Sequence, residues 1–161
     1  MFRGECLVRR SEMLQLEGAW DEALAEAEQA CARLSERSHP RDVGTSPYRA
    51  AELYRLRGEF QKAEELYRRA SQAGRNPHPG LALLRLAQGQ VEASAVAIRH
   101  ELEQRRSPAV RAEILRAAVE ILLAVKDTAA AHSNAEELTR TANMNDFCSA
   151  VRGSSLTSRC G

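Results

Sequence analysis

One short pattern recurs along this chain of 161 residues and restricts its fold more than any other feature. It reads Gly18-Ala19-Trp20-Asp21-Glu22-Ala23, then Gly58-Glu59-Phe60-Gln61-Lys62-Ala63, then Gly89-Gln90-Val91-Glu92-Ala93-Ser94. A degenerate fourth copy is Lys126-Asp127-Thr128-Ala129-Ala130-Ala131. Each copy opens with a turn residue, places an apolar residue two positions on, and has a small residue three positions after that (the fourth keeps only the small one). Further positions at helical spacing follow: Ala27 and Ala30, Tyr67 and Ala70, Ile98, and Ala135 and Leu138. Self-similarity of this kind is the signature of a repeat architecture.

Each position has a physical task. Glycine ends a helix because it enters the left-handed conformation without a Cβ clash. The large residue (Trp20, Phe60 or Val91) begins a second helix and is expected to plug the space between paired helices. Ala23, Ala63 and Ser94 are small so that two backbones can approach, and Tyr67 and Ile98 return to the same face one turn later. Lys126 in place of glycine costs something in its turn. The first helices are read from apolar spacing: Leu7, Leu14 and Leu16 over 4–17; Ala50, Leu53, Tyr54 and Leu56 over 46–57; Leu81, Leu84 and Leu86 over 79–88; Ile114, Leu115, Ala118, Leu122 and Leu123 over 108–125. Ser46-Pro47 and Ser107-Pro108 each set a capping hydroxyl before a proline at a helix start. Turn to turn, the spacings are 40, 31 and 37 residues, scattered about the roughly 34 of a tetratricopeptide repeat. The expected fold is all-α, a right-handed superhelical solenoid of about four antiparallel, tetratricopeptide-like helix pairs. It should occupy residues 1–143, with a short helix and then a disordered tail over 144–161. That tail is Ser/Gly-rich and supplies no polar capping helix. The last pair is therefore expected to expose apolar surface and to self-associate as a homodimer.

Composition agrees and excludes several function classes. Aromatics are 4% of residues, so the core is expected to be built from Ala and Leu. The formal charge of +1 offers no nucleic-acid footprint. Arg9-Arg10 and Arg105-Arg106 are offset by nearby glutamates and lack an aromatic stacking stripe. Cys6, Cys31, Cys148 and Cys160 form no C-x-x-C pair, which suggests reduced thiols in a cytoplasmic protein. No apolar run approaches the roughly 18 residues of a membrane span, and Met1-Phe2-Arg3-Gly4-Glu5-Cys6 is too polar for a signal peptide. Neither a G-x-x-x-x-G-K-[ST] nor a G-x-G-x-x-G loop is present. His39, His78, His100 and His132 fall in different repeats, so neither catalytic nor metal-ligating residues are expected, and no cofactor. Glu64 with Arg68 and Glu65 with Arg69 have the spacing of solvated helix pairs.

The expected activity is binding. First helices of stacked pairs line a concave groove, and alignment on the turns places Glu5, Glu12 and Gln15 of the first pair there. Tyr48, Glu52 and Arg55 follow from the second, Leu83 and Leu86 from the third, and Glu113, Arg116 and Glu120 from the fourth. Charged at both ends and apolar in the middle, such a groove suits a protein, a peptide or a small effector.

Two stretches carry a more particular likeness. Tyr48-Arg49-Ala50-Ala51-Glu52-Leu53-Tyr54-Arg55-Leu56-Arg57-Gly58-Glu59-Phe60 with Ala63-Glu64-Glu65-Leu66-Tyr67-Arg68-Arg69-Ala70-Ser71 is one. Pro77-His78-Pro79-Gly80-Leu81-Ala82-Leu83-Leu84-Arg85-Leu86-Ala87-Gln88-Gly89 is the other. Together with Gly4-Glu5-Cys6 and the Gly18 turn, residues 1–142 resemble the helical region of large LuxR-type (MalT-like) bacterial transcriptional regulators. The resemblance implies an array that receives an effector or protein partner and relays this to a C-terminal helix-turn-helix; neither that module nor a nucleotide-binding domain is in this sequence. A stand-alone adaptor and a helical accessory region of a signalling enzyme are the alternatives. A helix-turn-helix encoded downstream would favour the first reading, a catalytic domain the last.

Overall fold

Five helix ends among the described residues close with the same two backbone hydrogen bonds. The computed structural model describes the backbone of residues 3–34, 44–104 and 107–154, and the side chains of 6–32, 44–104 and 107–142. Among these residues the chain is all-helical, with eight helices and no strand. They are α1 (Arg3–Leu16), α2 (Trp20–Leu34), α3 (Thr45–Leu56), α4 (Phe60–Gln72), α5 (Gly80–Ala87), α6 (Val91–Glu103), α7 (Pro108–Ala124) and α8 (Thr128–Ser154). At Gly18, Gly58, Gly74, Gly89 and Lys126 φ is positive, between 61° and 82°. After α3, for example, Gly58 N–H bonds the Arg55 carbonyl at 3.1 Å and Glu59 N–H bonds the Tyr54 carbonyl at 2.9 Å. That is a Schellman closure, which satisfies carbonyls that a helix end leaves orphaned. Second helices accordingly start at Trp20, Phe60 and Val91, where the sequence pattern puts them.

The small residues five positions past each turn are buried: Ala23, Ala63 and Ser94 at 0% and Ala131 at 2% exposure. Four residues further on, Ala27, Tyr67 and Ile98 are also buried. Other expectations fail for local reasons. The last residue before each turn faces solvent in all four repeats (Leu16, Leu56, Ala87, Ala124), so Leu16 does not join the apolar face of α1. Trp20 stays 41% exposed and does not plug its gap. Ser46 caps nothing: α3 begins one residue earlier, after Gly44, and the buried Ser46 hydroxyl instead donates to Cys31 Sγ at 3.3 Å. Ser107 does stand at the N-cap with Pro108 first in the helix, but its hydroxyl makes no capping bond. The core is not only Ala and Leu, since all three tyrosines of the chain are buried.

The chain divides into two units, Met1–Gln90 and Val91–Gly161. In the first, α1 pairs with α2 and α3 with α4; α2 packs on α3, and α5 lies on α3 and α4. Ala23 and Ala27 of α2 meet Ala50 and Leu53 of α3, while Tyr48, Tyr54, Tyr67 and Leu84 form a neighbouring cluster. In the second, α7 packs on both α6 and α8 and buries Ile114, Leu115, Ile121 and Leu122. The third sequence pair, α5 with α6, straddles the division. A separate helix from Asn143 is not found, because α8 continues unbroken to Ser154; the tail over 155–161 is outside the described residues. The solvent-facing residues of α8 include His132, Ser133, Glu136, Thr139 and Arg140. On α7, the other helix of that pair, the large apolar residues Val110 and Leu123 are exposed.

Lys126 holds φ +61° with a Cβ present, a conformation that costs an L-residue about 1–2 kcal/mol. Lys126→Gly is expected to raise unfolding free energy by about 1 kcal/mol, read as a higher urea midpoint at unchanged slope. An unchanged or lower midpoint would contradict the turn assignment.

Candidate interaction surface

Tyr67 sits where the register demands a buried residue, and its hydroxyl needs an acceptor there. Glu52 of α3 supplies it: the phenol donates to Glu52 Oε1, and Arg55 Nη2 donates to Glu52 Oε2 at 2.9 Å. The Glu52 and Arg55 side chains keep only 19% and 14% of their exposure. Burial, then the Glu52 charge and hydrogen bond, hold the Tyr67 phenol well above its ordinary pKa. Burial opposes the Arg55 cation, but Glu52 more than offsets it and the guanidinium pKa is raised. Gly80 at the start of α5 makes the arrangement possible. A Cβ there would fall 2.7 Å from Tyr67 Cε1 and press on Tyr67 Oη and Glu52 Oε1. Tyr48 completes the cluster, its ring edge-on to Tyr67 at 5.6 Å and 68°, with the Arg75 guanidinium 4.3 Å above it. Its hydroxyl accepts from Gly80 N–H at 3.3 Å.

Several residues assigned to the groove therefore have structural work. Tyr48, expected on the docking face, is a core residue at 4% exposure. Glu52 and Arg55 lie together, half-buried, and neutralise each other. Glu12 meets Arg9 at 3.1 Å and Arg49 Nε at 2.9 Å, tying α1 to α3. The Arg49 Nε–H points off that line, so the contact is an ion pair and not a hydrogen bond. Gln15, Leu83 and Leu86 are half-buried, and the Glu5 side chain lies outside the described residues. In the second unit Glu113 is half-buried while Arg116 and Glu120, four residues apart on α7, are exposed.

One feature escaped the sequence reading. A cleft of about 580 Å3 opens between α2, α3 and α4, lined among others by Cys31, Ala50, Tyr54, Lys62, Leu66 and Arg69. Lys62 Nζ stands 5.0 Å over the Tyr54 ring, and the Tyr54 hydroxyl donates to Glu28. The charge pairing along α4 also differs from the i,i+4 expectation. Arg68 turns back one residue closer, to Glu65 at 2.6 and 3.0 Å, and Arg69 has no ion pair among the described residues. Cys6 and Cys31 are free thiols. Among the described residues no helix is long and apolar enough to cross a membrane, and no group of three His, Cys, Asp or Glu side chains could hold a metal ion. The chain matches no protein-family model, and no curated protein is detectably similar to it.

Two outcomes follow from this geometry. Gly80→Ala forces α5 off the Tyr67–Glu52 pair and is expected to cost about 1–3 kcal/mol in urea unfolding; a cost under a few tenths would show that the contact yields freely. The hydrogen bond to Glu28, with burial second, pushes the Tyr54 pKa up to about 12. An unfolded chain ionises this phenol from about pH 10 while the folded chain keeps its proton. The stability it contributes is complete below pH 10 and is lost as pH climbs through about 12. Tyr54→Phe should flatten the decline of the urea midpoint over that window, whereas curves parallel to wild type would remove Tyr54 as its source.

Proposed function

We propose that this chain is a non-catalytic binding module whose tetratricopeptide-like helix pairs offer their first helices, α1, α3 and α5 in the first unit and α7 in the second, as docking surfaces for a protein or peptide segment. The observation that carries the reading is the fourfold recurrence of one turn and one register: a left-handed residue followed five positions later by a buried small residue at Ala23, Ala63, Ser94 and Ala131. Elements that repeat in register present equivalent side chains at regular intervals, and such faces serve extended partners. The likeness to LuxR-type regulators extends the proposal to a regulatory role, in which the module senses a partner on behalf of a DNA-binding domain.

The docking residues of this reading are the ones not consumed internally: Gln15, Leu83 and Leu86, with Glu113, Arg116 and Glu120 on α7. Partners retained by the purified chain from lysate of its source organism should be lost with Gln15→Arg plus Arg116→Glu and kept with Arg68→Glu on the outer side of α4, all three proteins having matching helical melts. Identical recovery by all three would exclude the first-helix face.

A further inference from the structure

The helix triplets α2–α3–α4 and α6–α7–α8 superpose in sequence register when aligned on their turns. Ala23 answers to Ser94, Ala50 to Ala118, Leu53 to Ile121 and Ala63 to Ala131, and all eight are buried. One of the places where they differ is the start of the middle helix. In the second unit Arg111, in the first turn of α7, bridges the groove. Its Nη1 donates to the Leu102 carbonyl near the end of α6, and its Nε and Nη2 grip the Glu137 carboxylate of α8 at 2.8 and 3.1 Å. A two-point guanidinium–carboxylate fork of this kind is both strong and directional.

In the first unit that fork cannot form. The register counterpart of Glu137 is Arg69, a cation where the carboxylate should be. The groove between α2 and α4 is correspondingly open, with Ala50, Tyr54 and Leu66 contributing its apolar surface. Along its walls Glu65 pairs with Arg68 and Lys62 with Glu59, while Glu28 accepts the Tyr54 hydroxyl. Burial keeps the Cys31 thiol pKa raised, so it adds no negative charge. Arg69 is left over, at the position where the sister groove holds one half of a salt bridge.

We infer that this cleft is a binding site for a carboxylate carried on an apolar body, the carboxylate meeting Arg69 and the body lying on Ala50, Tyr54 and Leu66. Its volume of about 580 Å3 falls among pockets that take small organic ligands, roughly 300–1,000 Å3. The guanidinium supplies the parallel donors that a carboxylate takes up in pairs. The ligand thereby restores, from outside, the carboxylate–arginine contact that the second unit makes within itself. This site lies between second helices and goes beyond the first-helix docking face, so neither stands on the other.

The test is an amide-resolved NMR titration of the full chain with octanoate, and with 1-octanol as the uncharged control. Octanoate should shift amides around Cys31, Ala50 and Leu66 and bind at least tenfold more tightly than octanol. Arg69→Gln should erase that preference while leaving the spectrum elsewhere unchanged, and Arg69→Lys should keep part of it. Competition by a short peptide ending in a free leucine, but not by its C-terminal amide, would assign the carboxylate to a polypeptide terminus; lack of competition assigns it to a small acid. Equal binding of octanoate and octanol, unchanged octanoate affinity in Arg69→Gln, or shifts mapping away from the cleft would overturn the inference.

Discussion

The reversal of the chain after each first helix is the constraint from which the other features descend. A left-handed residue, closed by two short backbone bonds, fixes both where the first helix stops and where the second begins. Helical geometry then decides which later positions point inward. Residues five, nine and twelve past the turn face the partner whatever their chemistry, and the sequence has had to fill them with side chains that fit. In the first repeat these are Ala23, Ala27 and Ala30; in the second, Ala63, Tyr67 and Ala70. A tyrosine where its sister repeat has alanine brings extra volume and a hydroxyl into a closely packed seam. Both are accommodated: the volume by Gly80, the hydroxyl by Glu52.

That accommodation explains how much of the molecule could be read from the sequence. Turns, helix boundaries and the small-residue stripe follow from local rules, and they stand within a residue or so of their expected places. Gly18, Gly58 and Gly89 announce themselves because glycine is favoured where φ is positive. Lys126 was legible only by analogy, since nothing about lysine signals that conformation. The docking face was harder, because an outward position on a helical wheel says nothing of what leans over it from the next helix. Tyr48, Glu52 and Arg55 share a face of α3, yet Tyr67 from α4 and Gly80 from α5 close over that face. A buried phenol four residues past Ala63 was visible in the sequence; the carboxylate it would recruit was not.

Register and chemistry part company in a second way. The grooves α2–α3–α4 and α6–α7–α8 are laid out by the same turns, but α7 begins five helical residues earlier relative to its turn than α3 does. Those extra residues carry Arg111, and with it the fork onto Glu137. Connector length, and not the repeat itself, thus decides whether a groove is braced from within. Apolar periodicity is blind to this, since the deciding residues lie at the helix start and carry charge.

The way charges are consumed also limits what the first-helix face can recognise. Separating a half-buried pair such as Glu52–Arg55 leaves an unmatched charge in a poorly solvated place, a loss of up to about 3–5 kcal/mol where burial is complete. A partner would have to restore both contacts before gaining any affinity, so discrimination by those residues is an expensive design. Arg116 and Glu120 are exposed and carry no such cost. Contacts to them add to binding without first removing something from the fold, although water and salt screen exposed ion pairs. Affinity on such a surface must then come mostly from apolar area, which in the first unit means Leu83 and Leu86, with charge setting orientation and rate of encounter.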